Sequence, residues 1–230
     1  MALVFLFLVA LFVVFTLFVL PIIFSLQALG SLFVYPRQLA AMFGNRILRR
    51  NHALEHATIA VLMEREPGRR FNGFSTEEGF FVQGVRSLEE VDGAAREALR
   101  RLRAGERGLA VHRNCGTTIV AANLLAAVFF LAALGAGLYL GGAWLYLLMV
   151  AGLALAFALR VPLSLLLQRF VTTDADLSHA EVGWVEPARP QDLQGGLLGL
   201  LLAASTVRVR VFHVDPDAVE VVRGDETVLR

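Results

Sequence analysis

Hydrophobic positions in this chain come in long blocks. Met1 to Pro36 carry no charged side chain, and Leu3 to Leu20 is almost wholly Leu, Val, Phe and Ala, enough for a helix to cross about 30 Å of hydrocarbon. Pro21 is expected to kink or end that helix, with Ile22 to Val34 continuing as a tilted or interfacial extension. A cleaved signal peptide would show a positive stretch ahead of a shorter apolar core, so an anchor is the expectation. Two further apolar runs, Thr118 to Tyr139 and Trp144 to Leu159, flank Leu140-Gly141-Gly142 and predict a transmembrane hairpin whose second arm reaches Leu167 past Arg160 and Pro162. Tyr139, Trp144 and Tyr146 fall where an aromatic belt sits. Ala132, Ala133, Gly135, Ala136 and Gly137 offer a small-residue face for close helix packing.

Between these blocks the pattern changes to α+β. Asn45 is a candidate cap for a helix to about Glu64, ended by Pro67-Gly68. Phe71 to Val85, with Gly73 and Gly79, reads as a hairpin, and Ser87-Leu88-Glu89-Glu90 opens an amphipathic helix that runs through Arg103 and closes at Gly105. Leu109 to His112 is expected to be a short strand. Near the C-terminus, Gly195 to Ala204 is too short an apolar run to span and suits an interfacial, re-entrant or buried helix. The period-two alternation of Val207 to Val214 predicts a strand, and Val219 to Val222 with Thr227 to Leu229 a hairpin. The domain organisation read from this is an N-terminal membrane segment (1–36), an α+β insert (37–116), a helical hairpin (117–169) and a C-terminal region (170–230).

Composition agrees with the blocks. Across 230 residues, 57% hydrophobic content and a mean hydropathy of +0.63 exceed what an ordinary soluble domain carries. The expected class is an α-helical integral membrane protein with about three transmembrane helices and an α+β cytoplasmic region. All 21 basic residues are arginine, and 14 of them lie between Arg37 and Arg113, which places residues 37–116 in the cytoplasm and the N-terminus outside. The net charge of +1 argues against nucleic acid as a partner, while the arginines suit anionic lipid heads, making the lipid bilayer the first partner. A single cysteine excludes an internal disulfide framework and fits a reducing compartment. A homo-oligomer is compatible with the sequence.

The chemistry is concentrated in His52-Ala53-Leu54-Glu55-His56. On a helix the two histidines lie four residues apart and the glutamate three after the first, so two imidazoles and a carboxylate converge on one side. Imidazoles at this spacing hold Zn²⁺, and a nearby carboxylate that does not ligate can take a proton from an activated water. The order is the inverted form of H-E-x-x-H found in the inverzincin peptidases. A second cluster, His112-Arg113-Asn114-Cys115-Gly116-Thr117, holds the lone cysteine three residues after a histidine, a spacing that lets both reach one metal from a tight turn. The candidate ligands are therefore His52, His56, His112 and Cys115, the cofactor Zn²⁺, and the candidate general base Glu55. Taken singly, Cys115 reads as a small buried hydrophobe and His112 as a polar residue at a membrane surface. Their joint occurrence is what favours one shared site.

Other residues carry weaker signals. Arg113 and Asn114 are candidates to line a cleft and stabilise an oxyanion, or simply satisfy a turn. Asp174, Asp176 and His179 are candidates for a further ligand, although Asp-x-Asp in a polar linker is more often a turn or cap. His213 is expected to be a surface strand residue. No phosphate-binding glycine loop, nucleophile elbow or haem attachment motif is evident.

The segment Asn51 to Ile59, followed by Gly79-Phe80-Phe81, Ala98 to Leu102 and Leu109 to Thr117, resembles a bacterial and cyanobacterial family of membrane proteins of unknown function. The resemblance covers about residues 45–175 and includes Phe170-Val171-Thr172-Thr173. It implies a multi-pass protein of the bacterial plasma membrane. The pairing of H-x-x-E-H with a later H-x-x-C-G-T before a span is also similar to the YqhQ-like membrane proteins. Neither family implies a substrate. Similarity to the inverzincins covers only His52, Glu55 and His56, and where those peptidases use a later acidic ligand this chain offers His112 or Cys115.

Two mechanisms of different class follow. In the first, His52, His56 and either His112 or Cys115 hold Zn²⁺ with an open position for water, and Glu55 acts as base in hydrolysis of a peptide or other acyl bond, the substrate being a membrane protein or peptide. In the second, all four ligands close a structural tetrahedral site in a membrane scaffold or assembly protein. A scaffold without metal is the third alternative.

Overall fold

The computed structural model describes residues 1–113, 115–193 and 205–214. Helix dominates, joined by one small antiparallel sheet, and the chain divides into two compact units: residues 1–41 with 113–167, and residues 42–112 with 168–230.

In the first unit, α1 (Ala2–Val14) runs into a π turn (Phe15–Val19) and then α2 (Leu20–Gly44). The expected break at Pro21 is replaced by this wider turn. Proline has no N–H to return to the preceding turn, and the Leu20 N–H reaches back five residues to the Phe15 carbonyl, so the chain stays helical. Two helices follow in this unit, α5 (Thr117–Leu140) and α6 (Gly142–Leu167), while α3 (Arg46–Arg65) and α4 (Leu88–Arg103), earlier in the chain, belong to the second unit. Gly141, with φ of +105°, makes the turn between them. The chain then continues through a π turn, Gln168–Thr172, which belongs to the second unit.

Two helical stretches, Thr117–Leu140 and Trp144–Thr172, are long and apolar enough to cross a membrane, and only 22% and 17% of their apolar windows are buried. Among the described residues α1 is apolar but only 13 residues long, so the count of such helices is two where three spans were expected. Small residues set the packing of α5 on α6. A Cβ on Gly137 would lie 2.4 Å from Leu145 Cβ, and one on Gly152 would lie 2.8 Å from Phe129 Cβ. Ala133 and Gly137 of the expected small-residue face are buried, whereas Gly135 faces open space.

The second unit packs α3 (Arg46–Arg65) and α4 (Leu88–Arg103) with the sheet around one apolar core. Asn45 caps α3, its side chain accepting from Leu48 N–H at 2.9 Å, and Ser87 caps α4 by accepting from Glu90 N–H at 3.2 Å. Glu89 and Glu90 open α4 and Arg100, Arg101 and Arg103 close it, matching the helix dipole, before Gly105 turns away at φ +97°. The strands are β1 (Asn72–Thr76), β2 (Gly79–Gln83), β3 (Ala180–Pro187) and β4 (Thr206–His213), in the spatial order β1-β2-β4-β3 with every pair antiparallel. Leu54, Val61, Leu62, Phe80, Val82, Val91 and Val209 are fully buried among them.

Three differences from the sequence reading stand out. Leu109 to His112 is not a strand: a 3-10 turn covers Arg107–Ala110, leaving Val111 as an extended residue with no ladder to join. β3 was not foreseen, because Gly183 and Pro187 read as breakers. Gly183 is needed where the Phe212 ring approaches, and the strand is interrupted by a bulge between Val182 and Val185. The expected helix at 195–204, the hairpin at 219–229 and Asn114 lie outside the described residues.

Candidate metal centre

Every residue from Asn51 to Ile59 is buried, so this part of α3 is core on all sides. Asn51 pins it. Its amide donates to the carbonyls of Thr76 (2.8 Å) and Glu77 (3.0 Å), and its oxygen pairs with His213 Nε2 at 2.8 Å. His213 is therefore a half-buried partner of α3 and not the surface strand residue expected. Burial, with Arg50 nearby, holds its pKa below the ordinary histidine range.

One turn further on, His52 and His56 lie with ring centres 4.3 Å apart. His52 Nδ1 is 2.9 Å from the Thr172 carbonyl and His56 Nδ1 is 2.9 Å from the Ala110 carbonyl. A carbonyl accepts only, so each Nδ1 carries a proton and each Nε2 is turned away from that carbonyl, which is how ligating histidines are commonly oriented. His56 is 1% exposed, and its Nε2 is buried without a hydrogen-bond partner. An orphaned buried nitrogen of this kind costs about 1–3 kcal/mol unless something binds it. His52, His56 and Cys115 are a set of donors that could hold a metal ion. Cys115 Sγ also accepts from Thr117 N–H at 3.5 Å.

His112 stands beside this group, its ring centre 6.1 Å from that of His56. Gln168, fully buried, holds its main chain from both sides, accepting from His112 N–H at 2.7 Å and donating to His112 carbonyl at 2.9 Å. Burial, and then the neighbouring His56, lower the pKa of the His112 imidazole.

Glu55 is 3% exposed and faces β1. Its Oε2 accepts from Ser75 Oγ at 2.5 Å, and its Oε1 lies so close to Gly73 that a Cβ there would sit 2.6 Å away. Burial raises the Glu55 pKa, opposed by the charge of His52 and the Ser75 hydrogen bond. The carboxyl is thus a group able to hold and release a proton inside the fold.

Sequence reasoning gave no role at the site to Ser75, Gly73, Thr172, Ala110 or Gln168. A glycine inside a strand is a recognised sign of close approach, so Gly73 carried a usable signal. Thr172 and Ala110 act through carbonyls, for which no side chain advertises. The remaining candidates are placed elsewhere. Asp174 and Asp176 pair with Arg46 at 3.2 and 3.0 Å, and Asp176 also with Arg50 at 2.9 Å, so both are engaged in ion pairs and neither belongs to the metal group. His179 has an exposed side chain, and its carbonyl accepts from Val214 N–H. Arg113 offers its carbonyl to Thr118 Oγ1.

Comparison with known proteins gives a family match without an activity. A family model described as a domain of unknown function, DUF6391, matches residues 47–185, a stretch from the start of α3 into β3. An uncharacterised protein of Picosynechococcus sp. (strain PCC 7002) is 37% identical over 107 residues, covering 43% of this chain and 48% of that protein. The chain thus spans about half the length of this curated relative. No solved structure matches it.

Proposed function

We propose that this chain, which belongs to the DUF6391 family, a domain of unknown function, is a zinc-dependent hydrolase of the membrane surface, with a metallopeptidase as its first form. The observation that carries the reading is the histidine pair: each spends Nδ1 on a main-chain carbonyl, and His56 Nε2 is left buried and unpartnered beside His52, with Cys115 as the third donor that could join them. Two imidazoles and a thiolate match the donor set of catalytic Zn²⁺ sites that keep a fourth position for water. Bound there, zinc supplies a water acidic enough to ionise near neutral pH. Glu55, buried and oriented by Ser75, takes the proton as the water oxygen bonds to the substrate carbonyl carbon, and gives it to the amide nitrogen as the C–N bond breaks.

The membrane setting is part of the proposal. α5 and α6 each expose most of an apolar surface, which hydrocarbon would cover. The uncharged, helical stretch from Ala2 to Val34 serves as a third crossing. The concentration of arginine between 37 and 113 favours a cytoplasmic metal centre at a bacterial plasma membrane, with the N-terminus outside.

A second reading, a structural zinc site in a scaffold protein, is favoured by His112, whose ring stands next to His56 as a fourth ligand would. Metal content separates the two. Elemental mass spectrometry on detergent-purified chain is expected to find about one zinc per chain, lost in His56→Ala and Cys115→Ser and kept in His112→Ala and Glu55→Gln. Loss in His112→Ala as well supports the closed site, and no zinc in the wild type after zinc is supplied rules out both.

A further inference from the structure

β1 is an edge strand: among the described residues it pairs with β2 alone. The phase of the ladder decides which of its main-chain groups face outward. Val211 N–H donates to Glu78 carbonyl and Gly84 N–H to Ser205 carbonyl, each at 3.1 Å. Antiparallel pairs alternate between bonded and non-bonded, so these two bonds make Gly79↔Arg210 and Gln83↔Thr206 non-bonded pairs and turn Gly79, Phe81 and Gln83 towards β1. In register, those three residues bond with Thr76, Phe74 and Asn72. Gly73 and Ser75 therefore direct their N–H and C=O groups off the sheet, and both residues are only partly buried. They are the same two residues that touch the Glu55 carboxyl, through Ser75 Oγ and through the missing side chain of Gly73.

Two donors and two acceptors repeated at a two-residue interval, about 6.6–6.8 Å, are the recognition frame of another extended backbone. No sugar, lipid head or simple ester presents that alternation. We infer that the outer edge of β1 is a peptide-binding rail: an extended polypeptide segment pairs with the main-chain groups of Gly73 and Ser75, which sets a peptide bond of that segment beside Glu55. The cleavage of that bond rests on the hydrolase reading, whereas the pairing does not. On the sheet face opposite Glu55, Phe74 is 37% exposed and stacked on Phe81 at 4.5 Å, so a guest side chain on that face meets an aromatic shelf and an apolar residue is preferred there.

The test uses the full-length chain in detergent with zinc, and β-casein, an unfolded protein, as the probe. Hydrogen exchange is followed on Glu55→Gln, so that bound casein is not consumed, and casein cleavage is followed on the wild type. The expected result is exchange within residues 72–76 slowed at least about tenfold at Gly73 and Ser75 on adding casein, with α4 unchanged. Cleavage of casein without protection of 72–76 overturns the rail and leaves the hydrolase standing. Protection without cleavage by the wild type supports the rail and counts against the hydrolase. Protection that needs no casein and grows with protein concentration identifies a second copy as the occupant and overturns the inference, as does an exchange pattern that casein leaves unmoved.

Discussion

His56 and Ala110 are 54 residues apart in sequence, and the imidazole Nδ1 of the first lies 2.9 Å from the carbonyl of the second. The bond does two things at once, since it satisfies a buried carbonyl and leaves Nε2 as the ring's free donor atom for a metal ion. His56→Ala removes both. Metal-free, the variant is expected to lose about 1–3 kcal/mol from the orphaned carbonyl and the cavity. Added zinc is expected to raise the denaturation midpoint of the wild type and leave that of His56→Ala where it was. An equal zinc response in the two chains counts against His56 as a ligand.

Glu55→Gln separates acid–base chemistry from packing. The amide keeps the shape and the contact with Ser75, so zinc content should be unchanged while any hydrolytic rate falls by about 10²–10⁴-fold. Stability carries a sign as well. A carboxyl whose folded pKa is raised holds its proton in the fold after the unfolded chain has released it, so the metal-free wild type loses stability as pH rises above the ordinary glutamate range towards the folded value. Glu55→Gln should flatten that slope, and denaturation of both metal-free chains between pH 4 and pH 8, about the range in question, measures it.

Gly73 is where the sheet can come close enough to reach Glu55. A methyl there would meet Glu55 Oε1 at 2.6 Å and the Phe81 carbonyl at 2.7 Å, and the second obstacle is backbone in the middle of the ladder. Gly73→Ala is expected to cost about 1–3 kcal/mol. Combined with Glu55→Ala it should cost less than the sum of the single variants, because one of the two clashes is gone. Chemical denaturation of the double-mutant cycle checks this, and strict additivity contradicts it.

Asn51 holds three elements through one side chain, linking α3 to Thr76, Glu77 and His213. Asn51→Leu leaves two carbonyls and an imidazole nitrogen without their partner, and a loss of about 2–4 kcal/mol is expected. His213→Ala, which spares the two bonds to the hairpin turn, should lose less. The ordering of the two denaturation midpoints is the measurement.

How much of this was legible in the sequence depends on what each residue does. Asn45 and Ser87 announce helix starts with their side chains, and Gly105 announces a stop, so α3 and α4 were readable nearly to their ends. The alternation of Val207, Val209 and Val211 likewise gave β4. The helix spacing of His52 and His56, and the placing of Cys115 in a later turn, carried the three donors that could hold a metal ion, whereas His112, expected as a ligand with them, is not among the three. β3 was hidden because its glycine and proline are breakers in isolation and become useful only against Phe212 and at a strand end. Leu109 to His112 looked like a strand because an apolar tetrapeptide does not reveal whether a neighbour will pair with it. The partners that orient the histidines were illegible for a simpler reason: they are carbonyls, and every residue has one.

Anchoring through the main chain sets how the site tolerates change. Because Thr172 and Ala110 hold the two imidazoles through main-chain oxygens, their side chains are free to drift within the limits of volume while the aim of both rings stays the same. Thr172 illustrates it, for its buried hydroxyl has no hydrogen-bond partner and a valine of equal shape would lose nothing there. The orientation of the two imidazoles is inherited from the path of the chain and not from the spelling of those two positions, so both letters can be rewritten while the rings keep their aim.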